Sequence, residues 1–181
     1  MKSIMKKLAV VLLASMMVLT LGACSEKEEE KPEAQTTIDF TAYPASFEEW
    51  TMNDVKTVLK EANLITNEDF VLMDLSANEI EAMSAKEGFL YVDANEGSVS
   101  DVVISFDPAT ETGKNMLDCV AENAVIAPDG NLEAGVPVDA LIGNYCFCYL
   151  TGSDDEHINA FIAVLKEIVS NYGIEGGFIN E

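Results

Sequence analysis

Between Asn144 and His157 the chain reads NYCFCYLTGSDDEH, which brings together two of its four cysteines, three consecutive acids and its only histidine. These residue types can ligate a soft metal, cycle between thiol and disulfide, or pass a proton. Spacing weighs against the first use. On a helix, residues three or four apart share a face and adjacent ones do not, so only Asp154 and His157 are placed together. Two ligands do not make a zinc site, and an acidic helix N-terminus accounts for Asp154, Asp155 and Glu156 without a metal. No metal and no cofactor are assigned. His157 falls beside an apolar stripe, at a helix edge, with no serine or cysteine set against it by a recognisable motif.

The cysteines face a stricter test. On a strand, Cys146, Cys148 and Leu150 lie on one face, and Tyr145, Phe147 and Tyr149 on the other. Same-face neighbours have β-carbons about 7 Å apart, whereas a disulfide needs about 4 Å. A Cys146–Cys148 bridge would therefore break the strand. Cys119, on the preceding helix, can meet either one across a helix–sheet interface. Cys119, Cys146 and Cys148 are thus the candidate disulfide or thiol residues, with free buried thiols as the alternative. Redox chemistry lacks both a C-x-x-C pair and a cationic neighbour to activate a thiolate. The intervening aromatics make a more promising surface. If helices cover the cysteine face, Tyr145, Phe147 and Tyr149 form a partly open stripe, the candidate binding face.

Two further patterns fail on spacing. Asp93-x-Asn95-x-Gly97 opens like a calcium loop, but its glycine is one place early and its twelfth position is Ile104. Thr112-Gly113-Lys114 precedes a helix, but no glycine stands five places before Gly113, as a phosphate loop requires.

The elements that must position these residues alternate in type. Thr51 and Asp54 form a capping box for a helix with Met52, Val55, Val58, Leu59 and Ala62 on one face. Residues 70–75 (FVLMDL) read as a strand. Residues 76–88 admit two readings: a helix capped by Ser76 and Glu79, or a strand turning through Lys86-Glu87-Gly88 with Gly88 at a bulge. Residues 89–94 and 99–106 form a hairpin. A helix from Thr110 or Thr112 to about Ala124 carries Met116, Leu117 and Val120. A loop over 127–137 precedes strands 138–142 and 145–150, joined by Gly143-Asn144 as a type II′ turn. Ser153 and Glu156 cap the last helix, whose stripe runs Ile158, Phe161, Ile162, Leu165, Ile168, Val169 and Tyr172, with Gly173 as its C-cap. The pattern predicts an α+β fold: a mostly antiparallel sheet with amphipathic helices packed on one face.

The N-terminus speaks to location. Lys2, Lys6 and Lys7 precede an apolar run from Leu8 to Leu21, short for a membrane span and suited to a signal peptide. Leu21-Gly22-Ala23-Cys24 follows and resembles the lipobox of bacterial lipoproteins. That resemblance implies cleavage after Ala23 and lipidation of Cys24, leaving the protein anchored on the extracytoplasmic face of the cell membrane. The expected organisation is a signal peptide over 1–23, the lipidated cysteine with an acidic flexible tether over 24–37, and a single α+β domain over 38–181. The mature segment also resembles small uncharacterised lipoprotein domains of Gram-positive anaerobes, in SANEIEAMSAKEG and in GNYCFCYLTGSDDE running into a helix. That second resemblance implies no activity.

Charge narrows the partners. All 32 acids lie beyond the signal peptide, and only 7 of the 10 lysines do, so the mature chain carries 7 − 32 = −25. Nucleic acid is not an expected partner, because there is no basic footprint to neutralise its phosphates. Anionic headgroups repel such a chain as well, so membrane association must come through the anchor. The expected function is a non-enzymatic binding module for an unidentified protein or small ligand. The alternative is a thiol-dependent redox or metal-handling protein using Cys119, Cys146 and Cys148.

Overall fold

In a computed structural model, the described residues are 38–128, 130–149 and 155–180. The fold is α+β, as expected. Six strands form one antiparallel sheet in the order β1-β2-β3-β7-β6-β8. They are β1 (Phe70–Asp74), β2 (Glu87–Asp93), β3 (Val99–Ser105), β6 (Ala140–Ile142), β7 (Tyr145–Tyr149) and β8 (Phe178–Ile179). A separate two-stranded ribbon pairs β4 (Val125–Ile126) with β5 (Val136–Pro137). The helices are α1 (Met52–Glu61), α2 (Ala77–Met83), α3 (Glu111–Asn123) and α4 (Asp155–Tyr172).

Local chemistry accounts for the helix starts. Thr51 and Asp54 complete a reciprocal capping box on α1, and Ser76 and Glu79 do the same on α2. Of the two readings of 76–88 the helix capped by Ser76 and Glu79 holds, and the strand turning through Lys86-Glu87-Gly88 does not. Residues 77–83 are helical, Ser84 turns the chain with φ 55°, and β2 begins at Glu87. Gly88 sits within the strand, while the register shift lies further on, between Tyr91 and Val92. A β-carbon on Gly88 would meet Leu75 Cδ1 at 2.6 Å and the Val103 carbonyl oxygen at 2.7 Å, so close packing explains this glycine. At the β6–β7 turn Gly143 has φ +57°, the first-position value that a II′ turn needs.

Helices cover both faces of the sheet, which corrects the expectation of one. On one face α1 and α4 bring Val55, Val58, Leu59, Phe161, Leu165 and Ile168 against Phe89, Val103, Tyr145 and Phe147. On the other, α2 and α3 bring Met83, Met116 and Val120 against Val102, Ile104, Leu141, Cys146 and Cys148. The cause is the strand order. β3 and β7 lie side by side in the middle of the sheet and are apolar on both faces over Val102-Val103-Ile104 and Tyr145–Tyr149. A central strand of that kind needs cover on each side.

Candidate functional site

The two-sided cover decides the fate of the aromatic stripe. Tyr145, Phe147 and Tyr149 are 1%, 1% and 7% exposed. They are core residues, so the candidate binding face is not open. Short 3-10 turns at Phe40–Ala42 and Phe47–Glu49 carry Phe47 and Trp50 to this face. The Phe47 ring meets Tyr145 edge-on at 5.6 Å, and Phe161 of α4 meets Phe147 at 6.1 Å and Tyr149 at 5.2 Å. The phenols are satisfied inside. Tyr145 Oη donates to the Trp50 carbonyl at 2.6 Å, and Tyr149 Oη lies 3.4 Å and 3.3 Å from the Asp139 and Asn180 carbonyls. Burial pushes both phenols up to about 12.

The cysteines lie on the opposite face, as strand alternation predicts, and none of the three is bridged. Cys119 is half-buried on α3, with its thiol 3.7 Å from the Val125 carbonyl. Burial raises the Cys146 pKa from 9.0 to about 12, and raises that of Cys148 well above its ordinary value. Both are therefore held as protonated thiols, the form least suited to nucleophilic attack or metal binding. In the native chain at about pH 8, iodoacetamide is expected to leave Cys146 and Cys148 unmodified, and denaturant to make both fully reactive. Rapid native labelling of either, followed by peptide mass analysis, would contradict their burial.

His157 has a partner that local reasoning missed. Its Nε2 lies 3.0 Å from Oδ1 of Asp101 on β3, a carboxylate whose side chain is 1% exposed. Ser100 Oγ donates to the other oxygen at 2.9 Å. The signal was in the strand pattern: Asp101, Val103 and Ser105 share one inward face, so an acid there must be buried and needs a partner. Leu150, Gly152, Ser153 and Asp154 lie outside the described residues, and with them the expected cap of the last helix. Among the described residues no three His, Cys, Asp or Glu side chains gather as a metal site. Asp93 serves its hairpin turn instead, accepting from the Asn95 and Glu96 amides at 2.7 Å and 2.8 Å.

The surface that is open lies elsewhere. β1 ends the sheet, and its Val71 and Met73 are 46% and 51% exposed on the α2/α3 face. Met73 pairs with Leu90 and Val71 with Val92, so two apolar rows run inward from the edge toward Val102 and Val99. Sequence reasoning placed FVLMDL on a strand, but nothing local marked it as the outermost one. Comparison of the chain with protein-family models, with curated proteins and with solved structures finds no match.

Proposed function

We propose that this chain is a lipid-anchored extracytoplasmic interaction module without catalytic activity, held at the cell membrane through Cys24 and engaging its partner through the exposed rim of β1. The observation that carries the interaction is the pair Val71 and Met73, large apolar side chains about half exposed on an edge strand. The anchor rests on the positively charged N-terminus, the Leu8–Leu21 run and the Leu21–Cys24 motif. The acidic segment that follows would hold the domain away from like-charged headgroups. The thiol-dependent alternative is disfavoured by the raised pKa values of Cys146 and Cys148.

Both halves are tested in bacteria expressing the full chain. Labelled palmitate is expected to enter the protein, and Cys24→Ala to abolish labelling and release the chain from the membrane fraction. A photo-crosslinking amino acid at Met73 is expected to yield a discrete adduct, and one at exposed Glu122 on α3 to yield none. Undiminished labelling of Cys24→Ala would refute the anchor. Absence of any adduct from Met73 would refute the module.

A further inference from the structure

We infer that the free edge of β1 receives an extended, lysine- or arginine-bearing segment of a partner polypeptide as an added strand of the sheet. This deepens the interaction-module reading and rests on it. The hydrogen-bond parity identifies the groups on offer. The Leu75 amide donates to the Gly88 carbonyl and the Ala94 amide to the Asp69 carbonyl. In an antiparallel ladder those bonds place Val71 and Met73 in register to bond β2, and turn the backbones of Phe70, Leu72 and Asp74 outward. The Phe70 amide is taken by the Asn67 carbonyl. Among the described residues, the N–H and C=O of Leu72 and Asp74 have no backbone partner outside the ladder.

Edge strands in stable proteins are guarded by lysine, proline, a bulge or extreme shortness. β8, the other edge, is two residues long, whereas β1 has five and keeps an unbroken register with β2. Its sequence FVLMD carries one charge, at the end, where Asp74 pairs with Lys56 of α1. Side chains of an added strand would continue the rows that end at Val71 and Met73, extending an apolar face that already exists.

Charge selects the occupant. Glu68 and Asp69 are exposed at the start of β1, and Asp93 stands opposite Phe70 on β2. The chain as a whole carries −22. A second copy would bring the same acids to the same edge, whereas a basic segment brings the opposite sign and is steered toward it. Backbone pairing supplies the docking geometry, and the alternating side chains supply the choice of partner.

The test uses the full chain in mild detergent and a fluorescent octapeptide of alternating valine and lysine. A valine–glutamate octapeptide and a valine–lysine peptide interrupted by proline serve as controls. Anisotropy is expected to show binding of the valine–lysine peptide at least about tenfold tighter than either control, weakening as salt rises. Hydrogen exchange is expected to slow about tenfold or more at the Leu72 and Asp74 amides on peptide addition. Leu72→Pro removes an outward N–H without touching the β2 ladder and is expected to abolish binding. Met73→Lys leaves the backbone intact and is expected to weaken binding about tenfold; it decides the matter should Leu72→Pro fail to fold. Equal binding of the acidic peptide, or unchanged affinity in Met73→Lys, overturns the proposal. So does protection of those amides without peptide in a chain that sediments as a dimer, which would make a second copy the occupant. Crosslinking at Met73 without any peptide binding would overturn the basic-strand chemistry and leave the interaction module standing.

Discussion

The double substitution Tyr145→Ser with Tyr149→Ser is expected to unfold the domain at ambient temperature. Tyr145 is 1% exposed, its ring packs on Phe47, and its phenol holds the Trp50 carbonyl that leads into α1. Truncating a buried aromatic to a small residue costs about 3–5 kcal/mol, and leaving a buried carbonyl unpaired adds about 1 kcal/mol. Tyr149, 7% exposed and set against Phe161 of α4, contributes a loss of similar origin. The sum, about 7–11 kcal/mol, is as large as the whole stability of a typical domain. Urea titration followed by circular dichroism reads this directly, with each single variant destabilised and the double variant lacking a native baseline. A melting temperature near that of the parent would instead mean that the stripe is a surface. The substitution therefore separates a core stripe from a docking stripe.

His157→Ala carries the second large effect. It strips a partner from the Asp101 carboxylate, which is 1% exposed and keeps the Ser100 hydroxyl on its other oxygen. Breaking a fully buried pair costs about 3–5 kcal/mol, because the remaining group stays uncompensated. Here the His157 side chain is 22% exposed, so water can enter the vacated space, and about 2–3 kcal/mol is expected. Asp101→Asn keeps the shape and a hydrogen-bonding group, and should cost about 1 kcal/mol. A double-mutant cycle with urea midpoints isolates the coupling. Coupling near zero would mean that α4 is held to the sheet by apolar packing such as that of Phe161 on Phe147 and Tyr149.

Much of the fold was legible residue by residue. The Thr51–Asp54 capping box, the Gly143-Asn144 turn, the β2–β3 hairpin and the stripe of α4 follow from patterns that span a few residues, and such patterns report local conformation directly, whereas the Ser76–Glu79 box stood as one of two readings. The thiol geometry was legible for the same reason, since alternation along a strand puts Cys146 and Cys148 on one face whatever that face meets. The aromatic face went the other way. Alternation separated Tyr145, Phe147 and Tyr149 from the cysteines correctly, but it says nothing of what lies beyond either face. The clue was that Val102-Val103-Ile104 and Tyr145–Tyr149 are apolar without a polar face, the mark of strands covered on both sides.

By itself, then, the sequence determined most of the helices and strands, with residues 76–88 left open, together with which side chains share a face and a strongly acidic net charge. Only the tertiary structure decided that β7 lies at the centre and β1 at the edge, that α1 and α4 cover the tyrosines, and that Asp101 meets His157 across 56 residues of chain. The physical reason is the range of the interactions. Periodicity and capping act over a turn or two, whereas strand order, burial and buried pairing are settled by contacts between segments far apart in the chain. An identical apolar pattern is core in the middle of a sheet and an open rim at its edge.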